Sequence, residues 1–115
     1  MDEWFSEPEP NVIESTSGFS VRVLGMMGMR YTEGLRSVRI DSEVGGTSTP
    51  TIAMFKDSIR VWEAPDYPEP VTDADRDRIV ANIQRAFHAC GYELHVQEPF
   101  DWSSVALRPP SERHK

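Results

Sequence analysis

Apolar and polar residues alternate through the first half of the chain. Phe19, Val21 and Val23 fall on one side and Ser20 and Arg22 on the other, which predicts a half-buried strand over 19–24 that Gly25 breaks. The alternation resumes over 27–32, with Met27, Met29 and Tyr31 opposite Gly28, Arg30 and Thr32. After Glu33, Gly34 takes the φ > 0 position of a tight turn. Residues 35–41 return, with Val38 and Ile40 inward and Arg39 and Asp41 outward, so 27–41 reads as a β-hairpin. Residues 42–50, SEVGGTSTP, read as a loop punctuated by Gly45-Gly46 and Pro50. Residues 51–55 read as a strand, Lys56-Asp57-Ser58 as a turn, and 59–62 as a further strand antiparallel to 51–55. The three prolines of 63–71, EAPDYPEPV, exclude a sheet interior and predict a stiff connector.

Residues 72–90 switch to a helical period. Ile79, Val80, Ile83, Ala86, Phe87 and Cys90 form one apolar stripe, with Arg76, Arg78 and Arg85 off it. Thr72 suits the N-cap, and Asp73, Asp75 and Asp77 put negative charge at the positive end of the helix dipole. Gly91 stands where a left-handed stop belongs. Tyr92, Leu94 and Val96 then alternate with Glu93, His95 and Gln97 as a last strand. The order β-β-β-β-β-α-β predicts an α+β fold: a mainly antiparallel sheet of about five to six strands, with one long helix packed on one face. Residues 1–17 are acidic and Pro-punctuated with little period, so they read as a flexible arm. Residues 18–107 read as a single α+β domain, and 108–115 as a disordered tail after Pro109-Pro110.

A length of 115 residues agrees with one domain. The longest apolar run is far short of the ~20 residues of a spanning helix, so no membrane partner is expected. The start MDEWFSEPEP lacks the basic and apolar stretches of a secretory signal, and a cytoplasmic location is the expectation. Net charge is −7. That disfavours nucleic acid, which needs a basic face, and suits steering toward a basic partner. Asp2, Glu3, Glu7, Glu9 and Glu14 carry −5 of it within residues 1–17, which contain no basic residue.

Little in the chain points to catalysis. His88, His95 and His114 do not share a helical ligand spacing, and the single cysteine, Cys90, lies on the apolar stripe. No metal or other cofactor is expected. Asp41 and Glu43 are paired carboxylates at the end of the hairpin. They could serve acid–base chemistry or a cation, though no glycine-spaced oxygen-ligand loop surrounds them. No P-loop, nucleophile-elbow or HExxH pattern occurs, so a non-enzyme is the expectation.

The run Gly28-Met29-Arg30-Tyr31-Thr32-Glu33-Gly34-Leu35-Arg36-Ser37-Val38-Arg39-Ile40-Asp41-Ser42-Glu43 resembles the signature of the immunity protein seventy-four family, small immunity proteins of bacterial polymorphic toxin systems. A second block fits as well. Residues 55–62 are followed by the Pro-rich break, the helix from Asp75 to Phe87, and Gly91-Tyr92-Glu93-Leu94. The resemblance implies an α+β fold and a protein that neutralises a cognate toxin domain, a basic nuclease being the class that acidity suits. Two other readings stand beside it: a small metal-dependent hydrolase using Asp41 and Glu43, and an effector chaperone or adaptor binding through the acidic arm.

The resemblance supplies no site residues, so the partner surface is read from residue type. If the helix covers one sheet face, Arg30, Glu33, Arg36, Asp41 and Glu43 remain outward. Trp62 and Tyr67 flank the Pro-rich break as candidate aromatic anchors.

Overall fold

The computed structural model describes residues 3–25, 28–45, 51–63 and 68–97. The first half forms one antiparallel meander. Strands β1 (Phe5–Glu9), β2 (Val12–Ser15), β3 (Phe19–Val23), β4 (Met29–Glu33) and β5 (Arg36–Ile40) lie side by side in chain order. The expected hairpin is β4–β5, with Glu33 opposite Arg36 across Gly34-Leu35 and Gly34 at φ 62°. The fold is α+β, as expected.

Residues 1–17 are not a free arm where the structure describes them. β1 and β2 extend the sheet by a second hairpin, turned at Asn11 with φ 67°. The sequence hides this hairpin because β1 is an edge strand exposed along nearly its whole length, so no period-two pattern marks it. An edge position also tolerates Pro8, whose missing N–H leaves no partner strand unsatisfied. The anchoring apolar residues are few: Val12 and Ile13 are buried, and Phe5 meets the Phe19 ring at 6.2 Å.

Asp41 alone separates β5 from β6 (Ser42–Gly45), so at this corner the chain leaves the first sheet and enters a second. Residues 42–45 are thus a strand, not a loop. Their pattern is unreadable because only Ser42 is buried. β6 pairs antiparallel with β7 (Thr51–Phe55), and β7 pairs on its other side, in parallel, with β10 (Glu93–Gln97). Between them lie a 3-10 turn at Lys56–Ser58 and two short strands, β8 (Val61–Trp62) and β9 (Glu69–Pro70).

The expected strand 59–62 therefore shrinks to β8 and pairs with β9, not with β7. Its reason is the preceding turn: Ser58 Oγ donates to the Phe55 carbonyl at 2.6 Å, and the Ile59 N–H bonds Lys56 O at 3.2 Å. That turn sends the chain toward β5, where Glu63 and Ser37 exchange backbone hydrogen bonds and cover the β5 edge. The Pro-rich connector contributes β9, an edge position where Pro70 needs no donor. Met27, Tyr67, the loop 46–50 and the tail 108–115 lie outside the described residues.

Helix α1 (Asp73–Ala89) starts as the sequence reads. Thr72 caps it, its Oγ1 accepting the Asp75 N–H at 3.0 Å. It ends on Gly91 at φ 79°, with Gly91 N–H bonding His88 O and Tyr92 N–H bonding Phe87 O. These two bonds are the Schellman pair, and the Phe87–Tyr92 ring contact is its apolar partner. Ile79, Val80, Ile83, Ala86 and Phe87 are all buried. They join Val21, Met29, Tyr31, Val38, Ile40, Ile52 and Met54 in one core. The helix thus lies on the inner face of the meander and carries the crossover from β7 to β10.

Candidate functional site

The hairpin residues divide into two groups. Glu33 and Arg36 face α1 and the β8–β9 segment. The Glu33 carboxylate receives the Arg78 Nε at 3.1 Å and its second nitrogen at 3.0 Å, a two-pronged pair between hairpin and helix. Arg78 also donates to Asp75 at 3.0 Å. The bond to Glu33, ahead of that to Asp75, holds the Arg78 guanidinium above its usual range. Arg36 lies 4.2 Å over the Trp62 ring and 3.5 Å from Glu69. Trp62 itself is fully buried, and its indole N–H donates to Asp75 at 3.2 Å. Burial works to raise the Asp75 carboxyl, but hydrogen bonds from Trp62, Arg78 and Thr72 outweigh it and hold the group low.

These contacts form a brace from Glu69 through Arg36, Trp62, Asp75 and Arg78 to Glu33. The expectation that Trp62 anchors a partner is corrected by its burial, because its whole ring is already committed to the core. Glu33 and Arg36 are tied inward in the same brace. Tyr67 lies outside the described residues.

Asp41 and Glu43 stand at the corner between the two sheets. The corner backbone is pinned. Asp41 N–H donates to Ser58 Oγ at 2.8 Å, and Phe55 N–H donates to Asp41 O at 3.0 Å. Here an open cleft of about 630 Å³ is lined by Arg39, Asp41, Glu43, Asp57, Ser58 and Arg60, among others. Asp57 and Arg60 join the site although the sequence shows only a turn, Lys56-Asp57-Ser58. The placement depends on the 3-10 turn folding back to the corner, and no residue pattern signals that.

The carboxylates of this cleft differ from most others. Glu3, Glu9, Glu33, Glu63, Glu69, Asp73, Asp75, Asp77 and Glu93 each lie within salt-bridge distance of an Arg, Lys or His. Glu7 accepts from the Tyr92 hydroxyl at 3.2 Å. Asp41, Glu43 and Asp57 have no side-chain partner among the described residues, and Glu14 alone shares that condition elsewhere. Arg60 donates through Nε to the Asp57 backbone carbonyl at 2.9 Å, which leaves the rest of its fork toward solvent. Among the described residues, then, no side chain pairs with the carboxylates of this cleft.

Among the described residues no three His, Cys, Asp or Glu side chains are grouped to hold a metal ion. Within that set, Asp41 and Glu43 are joined by no third ligand. His95 pairs with Glu93 at 3.1 Å, and His88 is exposed on the helix. Cys90 caps the helix, and burial, followed by its contact with Glu7, pushes its thiol up to about 11, which suppresses the thiolate a nucleophile needs.

Taken together these features define an α+β protein with a polar, unsatisfied surface cleft and no assembled catalytic group among the described residues. The family model for Immunity protein 74 matches residues 23–97, well over half of the chain, and the chain belongs to that family. No curated protein and no solved structure matches it.

Proposed function

We propose that this protein is the antidote to a cognate toxin domain of a polymorphic toxin system, acting in the cytoplasm of the producing bacterium by direct, stoichiometric binding. Membership of the Immunity protein 74 family carries this reading. The cleft supports it and is the surface we assign to the contact. Asp41, Glu43 and Asp57 are exposed, without a side-chain partner among the described residues, and held on a pinned corner, so a cation from another protein gains contacts there without breaking any described one. A binding protein needs a rigid charged surface rather than a reacting group.

The target class is a basic toxin domain, such as a nuclease that binds phosphate. A net charge of −7 steers such a partner from a distance, and close carboxylates fix its orientation on arrival. An adaptor that works through a free acidic arm has no support, because residues 5–9 and 12–15 are strands of the first sheet.

The test is co-expression with the toxin domain encoded beside the gene. Protection of the host and co-purification of the two chains are expected. Survival without a complex, or no protection at all, overturns the reading. The variant Asp41→Lys/Glu43→Lys/Asp57→Lys, confirmed as folded by circular dichroism, is expected to associate at least about tenfold more slowly at low salt. An unchanged rate removes the cleft from the interface.

A further inference from the structure

The inner face of the five-stranded sheet is covered by α1 and the core. On its outer face, the strand register sets side chains in two cross-strand rows. One runs Glu14, Ser20, Thr32 and Ser37 from β2 to β5. The next runs Arg22, Arg30 and Arg39 across β3, β4 and β5. Directly opposed side chains start about 5 Å apart, and like charges placed so destabilise a sheet. The chain has only 12 basic residues, yet three of them occupy this row.

Arg22 and Arg30 are propped from the flanks. Glu9 of β1 takes Arg22 at 3.1 Å, while Glu63 after β8 and Ser37 Oγ, the latter at 3.2 Å, take Arg30. Arg22 and Glu9 remain 52% and 61% exposed, so this pair orients the side chain more than it stabilises the fold. Among the described contacts Arg22 commits one terminal nitrogen and Arg30 one. A guanidinium has five N–H donors, so both forks keep an edge for a second acceptor. The Ser20–Thr32 hydroxyls lie beside them as further donors.

We propose that this outer face docks an acidic segment of a protein partner, its carboxylates seated on Arg22 and Arg30. The proposal rests on the toxin-binding reading for the identity of the partner. Charge complementarity selects a protein over a nucleic acid. The row is bounded by Glu9, Glu14 and Glu63, and past Arg39 by Asp41, Glu43 and Asp57. A continuous polyanion crossing the row runs into those carboxylates. A protein loop with a few carboxylates does not, and its neighbouring cations meet the cleft. Arg39 lines both the row and the cleft, so the two form one surface of alternating sign.

The isotope-labelled full chain is titrated at low salt with a short oligoglutamate peptide and, separately, a short DNA duplex, with amide shifts read by NMR. Shifts centred on Arg22, Arg30 and Thr32 with the peptide, lost in Arg22→Gln/Arg30→Gln, support the proposal. Absent shifts on this face, or tighter binding of the duplex, overturn it. In parallel the same variant is measured against the neighbouring-gene toxin domain, where a loss of about tenfold or more in affinity is expected. A parent and a folded variant that bind the toxin equally overturn the proposal and leave the toxin reading standing. A parent that binds no toxin overturns the toxin reading, and the peptide titration then decides the surface by itself.

Discussion

A Cβ on Gly28 would meet the Ile40 carbonyl oxygen at 2.4 Å, and the backbone there already holds φ 90°. The first glycine of the hairpin signature is thus required twice, once for a left-handed conformation and once for the close approach of β4 to the end of β5. Gly28→Ala is expected to cost more than about 2 kcal/mol, read as a lower midpoint in urea. A midpoint within error of the parent would show that the corner yields. Ser42 presents the opposite case. It lies opposite Met54 on the core side of the second sheet, and its hydroxyl is buried with no partner among the described residues. Ser42→Ala removes an unsatisfied group without opening a cavity, and a gain of about 1 kcal/mol is expected in the same measurement. A loss of stability would mean that the hydroxyl has a partner after all.

Elements were legible where one face is buried and obscure where neither is. The stripe from Ile79 to Phe87, the cap at Thr72 and the stop at Gly91 can all be read directly, because α1 has one dry side. Phe87 is 1% exposed, and Phe87→Ala is expected to lower stability by about 3–5 kcal/mol in chemical denaturation. A change below about 1 kcal/mol would refute the packing. β1 and β6 escaped notice because an exposed edge strand carries no alternation. The cleft was half visible: Asp41 and Glu43 stand out as a pair, whereas Asp57 and Arg60 reach it only through the 3-10 turn. Trp62 misled because an aromatic beside a proline-rich segment has the same residue type whether it faces solvent or core.

One carboxylate ties the segment before the N-terminal hairpin to α1 by polar contacts. Glu3 accepts from Arg85 Nε at 3.0 Å, from Ser15 Oγ at 2.7 Å and from Ser17 Oγ. The Arg85 bond first, then the two hydroxyls, lower its carboxyl from 4.5 to about 2. Since the folded value lies below the unfolded one, this stabilisation is complete above about 4.5 and is lost as pH falls toward about 2. Glu3→Gln is expected to lose stability at neutral pH and to flatten the melting profile across that window. A profile parallel to the parent's would detach Glu3 from the acid response.

On the scale of the whole molecule, charge is distributed by use. Among the described residues most carboxylates pair within the fold, and three of the four left over, Asp41, Glu43 and Asp57, collect at the corner between the sheets. The rate of toxin association is therefore expected to fall steeply with ionic strength in the parent, and less steeply when Asp41, Glu43 and Asp57 are reversed. Equal salt slopes for the two proteins would place the steering charge elsewhere. The parallel pairing of β7 with β10 has a consequence for synthesis. On the ribosome, residues 5–40 find every partner of the first sheet among near neighbours in the chain, so that sheet can form early. β7 cannot complete its pairing until residues 93–97 emerge, after the whole of α1. In that interval the meander stands with its apolar face bare, a nascent chain that a holding chaperone would recognise and the finished protein would not.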